Sequence, residues 1–266
     1  MSGEIVLKLE SIFPRGGPLY GTTKVTVRAE GIEDLAELYP EPRCRFGRSD
    51  YIVEGTYIRC SKKPRGFYES IRDEIRDYTC IQCEDSPVYH KAEITTLQVS
   101  LTGKFDDVYN SLPFRYYEPT KITGIYPPYG PRDGDTVVQV WGKNFLDLGD
   151  DFRCNFGSRS TKAYYISDEN LWCRSAKSDV TGKPMPFSVS LNRQQASLSN
   201  INFWYYNEPI LTKLTPDWGP ASGGTRVMLS GSGFMPFYYD DIDNRRDTMC
   251  DWGPLGKRMA NITSSV

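Results

Sequence analysis

The sequence predicts an all-β chain of tandem two-layer sandwiches, with one short helical insertion in the first. Three observations carry that prediction. Aromatic residues are abundant (Tyr 18, Phe 12, Trp 5) beside many turn formers (Gly 23, Pro 18), the composition of short strands joined by turns. Apolar residues alternate with polar ones in short runs rather than at helical spacing. One pattern also returns three times along the chain, and such self-similarity outweighs any local reading.

Each copy opens on a Gly-Pro turn: Gly17-Pro18, Gly130-Pro131 and Gly219-Pro220. A threonine follows five residues after each proline, as Thr23, Thr136 and Thr225. Behind it lie Val25/Val27, Val138/Val140 and Val227/Leu229, the period-two signature of a half-buried strand. The pattern continues through Ala29, Gly142 and Gly231, then Ile32, Phe145 and Phe234. A cysteine strand comes next: Cys44–Gly47, Cys154–Gly157 and Cys250–Gly253. A second cysteine follows in two copies, read as Cys60 and Cys173, and Val-Ser-Leu recurs at Val99–Leu101 and Val189–Leu191. Both full copies close on a Tyr-Tyr pair, in Phe114–Pro119 and Phe203–Pro209.

A unit of about 90 residues with about seven short strands has the dimensions of an immunoglobulin-like sandwich. Pro119 and Pro209 lead into the next copy with almost no linker. Short proline-containing junctions resist bending, so the chain reads as a semi-rigid rod. The expected units are 1–119, with an insertion at about 61–93, then 120–208, and an incomplete 209–266.

The opening over Ile122–Val138 and Leu211–Val227, the Gly-x-x-Phe, the Cys-x-Phe-Gly and the closing Tyr-Tyr-x-Pro resemble the IPT/TIG family of immunoglobulin-like repeats. The resemblance spans nearly the whole chain, twice in full and once in part. It implies a β-sandwich that mediates contacts, with no single activity attached, in a family that includes plexins, growth-factor receptors and Rel-like transcription factors. In surface members the matching cysteines can form a disulfide, which here would pair Cys44 with Cys60 and Cys154 with Cys173. Intracellular members need no such bridge, and a thiol is also a good small core group.

Two features depart from the pattern. Met259–Val266 corresponds to Lys162–Glu169 of the second copy, so the rest of a third sandwich is missing. The expectation is that the native protein continues past Val266 or that another chain supplies the strands. In the first copy, the insertion places Phe67, Ile71, Ile75 and Tyr78 along one helical face. These four residues are candidate partner contacts, or a cap on one end of the sandwich.

Chemistry-bearing clusters are sparse. Cys80-Ile-Gln-Cys83 with Cys60 and His90 could be drawn as a zinc site, yet one knuckle without a second reads better as a thiol pair or local disulfide. Asp147, Asp150 and Asp151, and again Asp240, Asp241 and Asp243, read as solvated turns rather than calcium loops. The single histidine has no nucleophile motif around it, and the glycine-rich turns precede strands, so no phosphate loop is present. No catalytic residue, metal site or cofactor is expected. Tyr129 and Trp218 precede equivalent turns and are expected to pack at the joints between copies.

Lys+Arg 32 against Asp+Glu 34 give a formal net charge of -2, which leaves no basic footprint for nucleic acid and no direct membrane insertion. Residues 1–12 do not read as a secretory signal. The expected function is a non-enzymatic scaffold binding other proteins within a large cytoplasmic, cytoskeletal or ciliary assembly. The alternatives are an extracellular segment of a cell-surface receptor or adhesion protein and, more weakly, a transcription factor with IPT/TIG dimerisation units.

Overall fold

In the computed structural model, which describes residues 7–33, 35–61, 77–106, 108–149, 151–234 and 248–263, strands form where the apolar alternation runs. The first sandwich holds β1 (Lys8–Phe13), β2 (Gly16–Pro18), β3 (Val25–Glu30), β4 (Arg43–Phe46), β5 (Ile52–Ser61), β6 (Asp77–Cys83), β7 (Ile94–Ser100) and β8 (Leu112–Tyr117). The second holds β9 (Lys121–Tyr126), β10 (Tyr129–Pro131), β11 (Val137–Lys143), β12 (Arg153–Phe156), β13 (Arg159–Tyr165), β14 (Asn170–Arg174), β15 (Pro184–Ser190) and β16 (Asn202–Tyr206).

Strand order is the same in both, position for position. The first runs β1-β3-β6-β5-β4-β7-β8-β2 and the second β9-β11-β14-β13-β12-β15-β16-β10. The fifth strand of each joins the two layers. Its first residues pair with β4, or with β12 in the second unit, and its last with β6 or β14. The inward residues of both layers meet in two separate cores. Phe46, Phe114 and Tyr116 pack edge to face in the first, and Phe156, Phe203 and Tyr205 repeat that arrangement in the second.

The repeated motif has a steric cause. A β-carbon at Gly17, Gly130 or Gly219 would collide with the hydroxyl of Thr23, Thr136 or Thr225, so glycine and threonine are selected as a pair. Three residues past each proline the chain needs a left-handed residue. Gly21, Gly134 and Gly223 adopt φ of +76°, +82° and +81°, and each N–H donates to the carbonyl of the preceding Pro18, Pro131 or Pro220 at 2.9 Å.

The insertion differs from the sequence reading. Cys83, not Cys60, occupies the address of Cys173, because Val25 faces Cys83 and Val138 faces Cys173 in the same register. The additional residues therefore lengthen the β5–β6 hairpin instead of following its second strand. Tyr78, placed on a helix by the sequence reading, lies in strand β6 opposite Cys60. Phe67, Ile71 and Ile75 fall outside the described residues.

The third copy contributes two hairpins, β17 (Ile210–Thr215) with β18 (Met228–Ser232) and β19 (Met249–Asp251) with β20 (Lys257–Met259) around a 3-10 turn at Gly253–Leu255. Leu211 and Leu214 are exposed there, whereas Ile122 and Ile125 at the same addresses are buried. Trp218 is 82% exposed, which corrects the expectation that it packs at a joint.

Candidate interaction surface

The outward face of β9-β11-β14-β13 follows from alternation. Val138, Val140, Leu171 and Ala163 point into the core, so their neighbours point out. Ladder register then assembles one row from Tyr126, Gln139, Trp172 and Tyr164, and the next from Gly124, Trp141 and Asn170. Tyr164 and Trp172 stack with ring centroids 4.0 Å apart and planes 8° off parallel. Trp141 lies over Gly124, whose missing side chain leaves room for the indole.

This aromatic array stands in the open. Tyr126, Trp141 and Tyr164 are 44%, 40% and 40% exposed. Cations border it: Lys121 and Lys143 stand opposite each other in the β9–β11 ladder, Lys162 sits 5.6 Å from the Tyr164 ring centroid, and Arg174 pairs with Asp135 at 3.0 Å.

The first sandwich builds the same sheet from other residues. Arg28, Gln82 and Thr56 occupy the addresses of Trp141, Trp172 and Tyr164. Arg28 pairs with Glu10 at 2.7 Å and Lys8 with Glu30 at 3.3 Å, so that face is laced with ion pairs. The fold therefore does not require aromatics at these positions. Clustered Trp and Tyr beside cations is the composition of a protein-binding hot spot. Sequence reading overlooked this face, although the outward Trp141, Tyr164 and Trp172 were visible as aromatics on the polar side of alternating strands.

The joint between the sandwiches is a second built feature. Asn192, fully buried, donates to the Gly16 carbonyl at 3.3 Å, and its own Oδ1 accepts the N–H groups of Gln194 and Gln195. Gln194 meets both backbone groups of Lys24, accepting its N–H at 2.9 Å and donating to its carbonyl at 2.7 Å. Gln195 donates to the Thr22 carbonyl at 2.8 Å and accepts the Thr23 hydroxyl at 3.0 Å. Three amides of the second unit thus serve the backbone that leads into β3 of the first.

The cysteines fall into three bonds. Cys44–Cys83 and Cys154–Cys173 link the two layers at equivalent addresses, and Cys60–Cys80 ties β5 to β6. The first-unit partner of Cys44 is thus Cys83 rather than Cys60, which follows from the register already described. The Cys-x-x-Cys pair is divided between two disulfides, and Cys250 carries a free thiol. Among the described residues no group of three His, Cys, Asp or Glu side chains is placed to hold a metal. Asp147 caps its own turn by accepting the Gly149 N–H, and Asp151 is buried beside Arg193. Asp150, Asp240, Asp241 and Asp243 lie outside the described residues. His90 is exposed and stacks on Tyr89.

Comparison with known proteins gives consistent relatives. The family model described as IPT/TIG domain matches residues 119–205 and 209–258, just over half the chain. Human Plexin-A4 is 25% identical over 229 residues, 85% of this chain and 11% of the plexin. Human Plexin-A3 is 34% identical over 122 residues, 42% of this chain and 6% of the plexin. A solved structure of the full extracellular region of Plexin A4 aligns over 87% of this chain and 18% of its own, at 20% identity and a TM-score of 0.48. The chain thus spans 11% or less of the length of these curated relatives. A cytoskeletal or ciliary setting finds no support among them.

Proposed function

We propose, from the premise that the chain belongs to the IPT/TIG domain family, that it is a non-catalytic extracellular segment of a cell-surface receptor of the plexin kind. Its units, divided near residues 119 and 208, form a stiff spacer. The second unit presents the Trp141–Trp172–Tyr164 face to a protein partner with an acidic surface, which complements the bordering lysines. The observation that carries the reading is the alignment of 85% of the chain with one plexin, Plexin-A4. Six of the seven cysteines also fall in bonding register, as an oxidising compartment favours.

The test is a thiol count on protein from its native source, alkylated under denaturing, non-reducing conditions and read by peptide mass. The proposal expects Cys44–Cys83, Cys60–Cys80 and Cys154–Cys173 as disulfide-linked peptides and Cys250 alkylated. Alkylation of all seven would place the chain in a reducing compartment and end the cell-surface reading.

A further inference from the structure

The chain holds a single Asn-x-Ser/Thr triplet, Asn261-Ile262-Thr263. It begins two residues past the end of β20 in the third copy. Such a triplet arises easily by chance, and its worth depends on whether the folded chain leaves it outside. Register fixes its address. Met249, Cys250 and Asp251 of β19 face Met259, Arg258 and Lys257 of β20, as Arg153, Cys154 and Asn155 of β12 face Lys162, Thr161 and Ser160 of β13. The match runs on by one more residue. The Ala260 N–H donates to the Thr248 carbonyl at 3.0 Å, and the Ala163 N–H to the Phe152 carbonyl at 3.1 Å. Asn261 therefore stands at the address of Tyr164, and Thr263 at that of Ile166.

That address faces outward in all three copies: Thr56, Tyr164 and Asn261 are each exposed. In the first two, the residue just before it, Gly55 or Ala163, is buried. The second copy is a closed sandwich, so its exposures are those of the complete fold. There Tyr164 is 40% and Ile166 61% exposed. A third sandwich closed in the same way keeps Asn261 and Thr263 on its outer face. An asparagine acceptor is modified on the nascent chain, before it folds, so a hydrogen bond that Asn261 makes in the folded state does not block the transfer. What the fold must supply is room for a bulky, hydrated sugar, and this face supplies it.

We infer that Asn261 carries an N-linked oligosaccharide. In the transfer, the Asn261 carboxamide nitrogen attacks the anomeric carbon of an oligosaccharide held on a lipid pyrophosphate. The new C–N bond replaces the C–O bond to the pyrophosphate, which leaves with the electron pair, and the amide gives up one proton. The Thr263 hydroxyl is the group that the transferase reads two residues downstream. A glycan at this address shields the third copy's outer sheet, where the second copy presents Tyr164. Contact through this sheet is thereby left to the second unit. The inference rests on the cell-surface reading, since a chain meets the lipid-linked donor in the secretory pathway.

Protein from its native source, alkylated as for the thiol count, is digested and treated with peptide N-glycosidase in heavy-oxygen water. The enzyme leaves a heavy-oxygen aspartate wherever a glycan stood. Position 261 is expected to carry that label in most molecules, and a digest without the enzyme to carry none. Bare Asn261 beside intact disulfides overturns this inference and leaves the cell-surface reading standing. Bare Asn261 beside seven alkylated cysteines overturns both. The full 266-residue chain, secreted from cultured cells, adds two variants. Thr263→Ala is expected to abolish the label with secretion unchanged. Tyr164→Asn with Ile166→Thr moves the triplet to the matching address of the second sandwich and is expected to add a labelled site at position 164. Label at 261 that survives Thr263→Ala, or no label at 164, overturns the assignment.

Discussion

Tyr116 and Tyr205 occupy one address in the two cores and differ in a single hydrogen bond. The Tyr205 hydroxyl donates to the Ala176 carbonyl at 2.6 Å, while the buried Tyr116 hydroxyl has no partner in hydrogen-bond geometry among the described residues. Burial pushes the Tyr205 phenol up to about 12, against a small opposing effect of the Arg159 charge. The Tyr116 phenol is also raised by burial, offset in part by the Ser86 hydroxyl beside it. Tyr205→Phe is therefore expected to cost about 1 kcal/mol in urea unfolding, the ordinary net worth of a buried bond. Tyr116→Phe removes an unsatisfied group and is expected to be neutral or stabilising. Equal losses in both variants would mean that Tyr116 has a partner. The pH dependence follows the same residues. A phenol whose folded pKa exceeds its unfolded value of about 10 stabilises fully below pH 10. That contribution falls as pH rises from about 10 through about 12, and Tyr205→Phe should flatten this alkaline decline.

At the scale of the element, the sheet β9-β11-β14-β13 separates what folding needs from what contact needs. Exchanging Trp141→Arg, Trp172→Gln and Tyr164→Thr installs the residues that the first sandwich carries at those addresses. The Tyr164–Trp172 stack is worth about 0.5–1.5 kcal/mol beyond its buried area. The triple variant is therefore expected to lose about 1–2 kcal/mol in urea unfolding, stay folded and lose contact with an acidic partner surface. Collapse of the fold would make the array a structural layer. The inward half of this sheet was legible in the sequence, because valines at period two have one place to go. The Gly-Pro and threonine motifs were legible because they meet a steric demand that recurs in every copy, and the closing tyrosines because they repeat in both full copies. The outward half was not, since nothing in a single sequence marks an exposed aromatic as partner-facing. The cysteine pairing in the first unit failed for a topological reason. Ile81-Gln82-Cys83 and Cys60 both resemble Leu171-Trp172-Cys173, and only ladder register tells them apart.

For the whole molecule, the question is whether two sandwiches behave as one body. Joints between domains of a chain are usually polar and permit relative motion, and a short proline-containing junction limits it only in part. Here Asn192, Gln194 and Gln195 add side-chain bonds to the Gly16, Thr22, Thr23 and Lys24 segment, with Asn192 wholly enclosed. Opening the joint would strand those amides and backbone groups, at about 1 kcal/mol for each bond lost. The sequence suggested stiffness from Pro119, but the loop that supplies it sits some 70 residues downstream and shows no motif of its own. Gln194→Ala with Gln195→Ala removes the bonds to Thr22 and Lys24 without touching either core. Nuclear spin relaxation of the intact chain should then need separate rotational diffusion tensors for residues 8–117 and 121–206, where the unaltered protein needs one. Unfolding midpoints of the two sandwiches should hardly move, because the loop lies outside both cores. Independent tumbling in the unaltered chain, or a shared tensor in the variant, would show that the amides decorate a joint whose stiffness comes from elsewhere.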